Sequence, residues 1–326
     1  MKHFIKTKFV VSFIALLVLL ANFSLVWSWQ AQCTDVAARG YLNVLTINLL
    51  FSEVKDREIR LENITNFIAG QAEKGDPVDI ILLQEVVGGP LSGTINSSLD
   101  LKRLLAKKGM KYNLSYRLAN GPPGIFTVGN AILSRCRIIF TISKTLPFVS
   151  EEPFEDFEIP LKRKVMMSRI KIPNFGKINI YNTHLCAFCD PTERLQQTQV
   201  LLDFIRTVEK SIWWDENPVI LGGDFNINLN ITEEREAYDQ IVDFGFIDTY
   251  STANGCYSCC SDEEGYLGCT YAVLGNPYSG EEESKRIDYI FVKGEGFDIA
   301  DSIVVFNTVP DWVSDHSGVL SKISLP

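Results

Sequence analysis

Only three histidines occur in the chain, and two of them stand beside short acid and amide motifs. His184 lies in Tyr181-Asn182-Thr183-His184-Leu185, and His316 in Ser314-Asp315-His316-Ser317. Between them comes Gly222-Gly223-Asp224-Phe225-Asn226, at the end of the apolar run Pro218 to Leu221. Imidazole exchanges a proton near neutral pH more readily than any other side chain. A hydrolase needs one group to take a proton from water and another to give one to the departing oxygen. A neutral imidazole at His316, held in position by a carboxylate, can perform the first task. His184, next to accumulated anionic charge, is expected to have a raised pKa and to suit the second. Further oxygen donors recur along the chain: Asn48 in Thr46-Ile47-Asn48, Glu85 in Gln84-Glu85, Asn130 in Gly129-Asn130-Ala131, and Asp288 in Arg286-Ile287-Asp288-Tyr289. Glu85 and its neighbours supply oxygen ligands, which fit a hard divalent cation such as Mg²⁺ better than zinc. A phosphodiester anion repels hydroxide, and a cation that drains charge from its oxygens removes that obstacle.

These residues fall at the ends of strand-like runs. Alternating or apolar stretches span Tyr41 to Leu50, Val78 to Val87, Tyr112 to Leu118, Gly129 to Ile139, Lys164 to Ile172, Lys177 to Leu185, Pro218 to Asn226, Arg286 to Lys293 and Gly318 to Ile323. Helical periodicity marks Arg57 to Ala72, Thr192 to Ser211 behind Pro191, and Glu233 to Phe244. Asn254 to Glu283, rich in Gly, Cys, Ser and Tyr, reads as one long loop. So many strands with few crossover helices predict an α/β fold of two packed β-sheets flanked by helices.

The order of these motifs resembles the endonuclease/exonuclease/phosphatase superfamily of metal-dependent phosphoesterases, over nearly all of the chain after its first residues. The resemblance implies a four-layer sandwich, with both sheets between helices. It also implies roles. Glu85 is similar to the cation ligand, with Asn48 beside it on metal or phosphate and Asp315 near the metal. Asn130 resembles a phosphate-side amide. Asp224 and Asn226 resemble the pair that orients water and stabilises the pentacovalent phosphorus. His316 resembles the general base, with Asp288 fixing its tautomer. A binding module that had kept the fold without the chemistry would be expected to lack one of Glu85, Asp224, Asn226, Asp288 or His316, and all are present.

The N-terminus reads as a targeting segment. Lys2, Lys6 and Lys8 precede an apolar run from Phe9 to about Ala21, and Val26 and Ser28 give a small-residue pair for cleavage after Ser28. An uncleaved anchor is the alternative, since the uncharged stretch is long enough to span a bilayer. Residues 29–326 then form one expected catalytic domain. The eight cysteines all follow the leader. An even count in an exported chain favours disulfides. Pairing is expected within the 256–269 loop and in a tether after His184, although Cys186-x-x-Cys189 and Cys256-x-x-Cys259 also have zinc spacing. The formal net charge of −9 disfavours non-specific binding to polyanions. Within the resemblance two substrates remain: sphingomyelin at a membrane surface, or DNA for a secreted deoxyribonuclease. Apolar tips at Gly121–Phe126, Trp213-Trp214 and Pro310–Val313 suit the lipid, and Arg117, Arg135, Arg137, Arg163 and Arg169 are candidates for phosphate contacts in the nuclease. The protein is expected to act as a monomer.

Overall fold

The computed structural model describes residues 33–52, 56–147, 161–211, 217–261, 263 and 267–325. The leader and the Trp213-Trp214 tip lie outside the described residues. A short helix α1 (Thr34–Arg39) precedes β1 (Tyr41–Asn48), α2 (Arg57–Glu73), β2 (Ile80–Gly88), α3 (Ser97–Lys107), β3 (Asn113–Asn120), β4 (Thr127–Ser134) and β5 (Arg137–Thr145). After them come β6 (Lys164–Ile172), β7 (Gly176–His184), α4 (Pro191–Ser211), β8 (Val219–Asp224), α5 (Thr232–Asp243), β9 (Ile247–Asp248), α6 (Thr249–Asn254), β10 (Asp288–Lys293), β11 (Asp298–Val305) and β12 (Gly318–Ser324). Among the described residues, no helix is long and apolar enough to cross a membrane.

Two mixed sheets of six strands form, in the orders β11-β12-β1-β2-β4-β3 and β5-β6-β7-β8-β10-β9. Alternation along each strand sorts its side chains into two layers. Leu45, Ile47, Ile81 and Leu83 point away from the second sheet and pack on Leu61, Ile64 and Ile68 of α2 and Leu101 and Leu105 of α3. Val165, Tyr181, Leu221 and Phe291 do the same on the far side, against Leu201 and Ile205 of α4 and Ile241 of α5. Val44, Leu82, Ile132, Met166, Ile180, Ile220 and Ile290 fill the space between the sheets. The result is the expected helix–sheet–sheet–helix sandwich.

The run expected as one strand over Gly129 to Ile139 is two. β4 ends at Ser134 in the first sheet and β5 starts at Arg137 in the second. Ser134 Oγ accepts from the Cys136 amide at 3.0 Å, and Arg135 donates its own amide to Asp79 at 2.9 Å, so the chain turns out of the first sheet there. Several elements had no expectation, α3 and β11 among them. The start of α3 is fixed by Asn96, whose side chain accepts from the Ser98 and Leu99 amides. β11 is an edge strand beside β12.

The sheets approach closely at Gly222. A Cβ there would fall 2.6 Å from Leu82 Cδ1 of the opposite sheet. Gly223 has φ 141°, and a Cβ would fall 2.0 Å from the Thr183 carbonyl, so only glycine fits. Toward the same end the inner layer turns polar. Asn182 donates to the Leu83 and Ala131 carbonyls at 3.0 and 2.9 Å and accepts from Gln84 Nε2 at 2.7 Å. These bonds stitch one sheet to the other with buried groups that satisfy one another.

Candidate active site

Strand register sets out the second sheet's half of the site. Lys164 pairs with His184, His184 with Asp224, and Asp224 with Asp288, so four chemically distinct side chains stand in one row at the end of β6, β7, β8 and β10. All four share the inner face with Met166, Ile180, Ile220 and Ile290, by alternation. The first sheet supplies the facing row. Asn48 ends β1 beside Gln84 of β2, and Asn130 on β4 stands opposite Arg117 on β3. Glu85 interrupts β2 with a bulge between Leu83 and Val86, and its φ of 54° puts a non-glycine residue in the left-handed region. Asn226, just past β8, has φ 51°. Bulges and left-handed residues of this kind re-aim side chains at functional sites.

The two rows meet. Asn48 Nδ2 donates to Asp224 Oδ2 at 3.0 Å across the sheets. The same carboxylate oxygen lies 3.4 Å from His184 Nε2 and 3.7 Å from His316 Nε2. Asp224 Oδ1 accepts from the Asn226 amide at 3.0 Å, while Asn226 Nδ2 donates to the Leu185 carbonyl at 3.1 Å. Asp288 Oδ2 bonds His316 Nδ1 at 2.8 Å. Glu85 Oε2 accepts from the Phe51 amide at 2.7 Å. The catalytic, phosphate-side and metal residues expected from the sequence therefore converge at one end of the inter-sheet gap. Asn130 joins them with its amide engaged, donating to the Lys164 carbonyl at 3.0 Å.

Burial and like charge tune these groups. Burial and the nearby Asp315 carboxylate push the Glu85 carboxyl up, against the Phe51 amide, His316 and Asn48. Burial raises Asp224 to about 7, with Asp288 and Glu85 adding to the rise and His316 and Asn48 opposing it. Burial works against a charge on His316, but Asp288, Asp224 and Asp315 overcome it and hold its pKa well above the usual histidine value. The raised pKa expected for His184 is overturned. Burial comes first, then the Arg163 guanidinium, then His316, and together they hold His184 well below 6.5. Arg163 Nη1 lies 2.8 Å from His184 Nε2, and a guanidinium can only donate, so that nitrogen carries the lone pair.

Glu85, Asn48 and Asp315 offer oxygen donors that suit a hard cation, and the surplus of buried carboxylates beside them is the charge such a cation neutralises. Asp224, Asp288 and His316 also form a tight group, with ligand atoms within 4.8 Å of one another. There, however, His316 Nδ1 already faces Asp288, which marks a proton-holding pair. Asp288 Oδ1 is buried with no hydrogen-bond partner among the described residues.

Two residues that hold the site were not anticipated. Thr270 Oγ1 accepts from the Ile287 and Asp288 amides at 3.1 Å each, and its carbonyl accepts from the Ser317 amide at 2.6 Å. Arg60 of α2 donates to the Leu49 carbonyl at 2.9 Å and the Val313 carbonyl at 3.1 Å, tying the segment after Asn48 to the one before Asp315. A signal for Arg60 was present: it falls four residues before Ile64 and eight before Ile68 on the helix's buried stripe.

Of the candidate phosphate arginines, Arg117 and Arg163 reach this end. Arg135 is locked to Asp79 and Asp35 at 2.7 and 2.9 Å. Arg169 is buried between Ser168 and Ile170 well along β6, and Arg137 is exposed at the distant end of β5. The apolar tip expected over Pro310 to Val313 is corrected as well, because Trp312 and Val313 are buried and Val313 belongs to the core under α2. Both Cys-x-x-Cys pairs are disulfides, Cys186–Cys189 and Cys256–Cys259, and Cys260–Cys269 and Cys33–Cys136 complete the set. Among the described residues no free cysteine remains for zinc, and four disulfides fit an oxidising compartment.

Residues 45–316 match the sequence profile described as the Endonuclease/Exonuclease/phosphatase family. Among solved structures, an endonuclease/exonuclease/phosphatase family protein from Leptotrichia buccalis is 23% identical with a TM-score of 0.62, covering 86% of this chain and 99% of that one. A mannosyl-6-phosphatase from Bacteroides thetaiotaomicron is 19% identical with a TM-score of 0.59, covering 86% and 99%. The human Nocturnin catalytic domain, solved with a bound sulfate anion, is 16% identical with a TM-score of 0.61, covering 88% and 95%. At these identities the likeness carries the fold. No curated protein matches the chain in sequence.

Proposed function

The chain belongs to the endonuclease/exonuclease/phosphatase family, and from that premise we propose that it is an exported, Mg²⁺-dependent phosphodiesterase of lipid surfaces, releasing phosphocholine from sphingomyelin. The observation that carries the lipid reading is an apolar rim beside Glu85. The loops 88–96 and 121–126 touch where the Leu91 amide donates to the Ile125 carbonyl at 3.2 Å. They expose Leu91 at 74%, Ile95 at 75% and Ile125 at 51%. Phe51, whose amide holds Glu85, meets Phe126 of the second loop with ring centroids 6.5 Å apart. Each such side chain gains about 1.5–3 kcal/mol on leaving water, and an apolar rim at the mouth of a cleft makes that gain at a lipid interface.

Glu85, Asn48 and Asp315 would hold the cation, which when bound withdraws charge from the phosphoryl oxygens. Asp224 and Asn226 orient the attacking water. Asp288 holds the proton of His316 on Nδ1, leaving Nε2 toward Asp224 as the atom that takes up the water's proton. His184 stands on the leaving-group side. Phosphoryl oxygens brought next to it oppose the effects that keep it neutral, so its acid role depends on bound substrate.

A second reading, a secreted deoxyribonuclease, is favoured by Arg117 and Lys164 at one end of the cleft. Protein lacking residues 1–28 is assayed with Mg²⁺ against sphingomyelin vesicles and plasmid DNA in parallel, with His316→Ala as control. Phosphocholine release with intact plasmid supports the lipid reading. Nicked plasmid with untouched lipid removes it in favour of the nuclease.

A further inference from the structure

The mouth of the inter-sheet gap changes sign along its length. At one end stand Glu85, Asp224, Asp288 and Asp315. At the other, past His184 and Asn130, Arg117 and Lys164 face each other from opposite sheets, each by register with a residue of the site. The Arg117 head group and the backbone that carries the two lysines are held in place. Arg117 donates to the Tyr116 and Thr141 carbonyls at 3.0 and 2.6 Å. Asn120 grips the backbone of neighbouring Lys162 on both sides, accepting from its amide at 2.6 Å and donating to its carbonyl at 2.8 Å. The Lys164 carbonyl is fixed by Asn130 at 3.0 Å. Among the described residues, none of Arg117, Lys162 or Lys164 forms an ion pair with a carboxylate. Burial first, then the charges of Arg117 and Lys162, hold Lys164 below its usual value. Like charges brought together repel, and a bound anion relieves that repulsion.

We propose that Arg117, Lys162 and Lys164 form an anion subsite that takes a phosphate group other than the one cleaved. The inference rests on the family reading of the neighbouring centre as hydrolytic. Neighbouring strands lie about 4.8 Å apart, so the Lys164 backbone is roughly 10 Å from that of Asp224, two strands away. That spacing suits the next phosphate of a polyphosphorylated substrate or the phosphate of an adjacent lipid headgroup.

Metal-free protein in EDTA and low salt is titrated calorimetrically with inorganic phosphate. Without a cation the carboxylates at the acidic end repel phosphate, so the heat reports the cationic end. Saturable binding is expected, weakened roughly tenfold in Lys164→Gln and in Arg117→Gln, the loss of one charge-assisted contact, and unchanged in Arg137→Gln. Absent binding in the wild type, or equal binding in all four proteins, overturns the proposal. Two arms with Mg²⁺ then separate the sources. The p-nitrophenyl ester of thymidine 5′-phosphate is compared with the same diester bearing a 3′-phosphate. A lower KM for the second that disappears in Lys164→Gln assigns the subsite to the substrate's own phosphate. Sphingomyelin vesicles with and without phosphatidylglycerol form the other arm, where a gain lost in the same variant assigns it to a neighbouring headgroup. Phosphate binding that depends on Lys164 in a protein that hydrolyses no diester would keep the subsite and sink the hydrolytic reading.

Discussion

His316 takes a proton only when its Nε2 is free, and the surrounding carboxylates hold its pKa well above 6.5. The sign follows directly: kcat/KM should rise with pH above 6.5 and level off once the ring is neutral. Asp288→Asn removes the largest of the raising charges, so the rising limb should move to lower pH while the plateau drops about 10²–10⁴-fold as the tautomer is released. A limb that stays in place in the variant would remove His316 as the base. His184 is the opposite case. Arg163→Gln takes away the guanidinium beside it, and the His184 pKa, followed by NMR, should climb toward 6.5. As the proposed cation ligand, Glu85 would trade stability for function. Burial and Asp315 penalise its charge, so Glu85→Gln should melt at a higher temperature than the wild type without metal. The same variant should lose the Mg²⁺-dependent rise in melting temperature, which for the wild type corresponds to about 2.7 kcal/mol at a hundredfold excess over Kd.

At the scale of elements, the Gly222-Gly223 turn-in at the end of β8 allows the two rows of the site to meet. Gly223→Ala would force a Cβ into the Thr183 carbonyl at a backbone angle that suits glycine, and should cost about 3 kcal/mol or more, read as a lower denaturant midpoint. Asn182→Leu leaves two carbonyls and the Gln84 amide without their partner between the sheets, which should destabilise by a similar amount. Both glycines and Asn182 were legible as motif members, because apolar runs ending in Gly-Asp or Asn-Thr-His are conspicuous in a sequence. The elements that went unread have weak local patterns. Ser97–Lys107 opens with three polar residues in four, and its apolar stripe is Leu101, Leu104 and Leu105 alone. β11 begins Asp-Ile-Ala-Asp, as a solvated edge strand can. The break at Arg135-Cys136 depends on Asp79 and Cys33, partners far away in the chain. The His184 pKa failed for the same reason: burial between the sheets dominates it, and Arg163, 21 residues away, reaches it only through β6–β7 pairing.

For the molecule as a whole, the disulfides divide into one long brace and three local ones. Cys33–Cys136 closes a separation of 103 residues and pins α1 to the turn between the sheets. Replacing both cysteines by serine should cost about 2–5 kcal/mol, visible in chemical denaturation. Cys260–Cys269 closes only nine residues, yet it ends one residue before Thr270, which holds Asp288 and Ser317. The two Cys-x-x-Cys bridges close three residues each. Sequence composition anticipated an oxidised protein with pairing inside the 256–269 loop and a tether after His184, while which cysteines pair required the fold. Asn48 and Glu85 belong to one sheet, and His184, Asp224 and Asp288 to the other, so neither sheet holds a working centre by itself. Pressure or mild denaturant that loosens the interface should silence turnover while each sheet still keeps its own ladder, and the rate of reaction becomes a gauge of the distance between two walls.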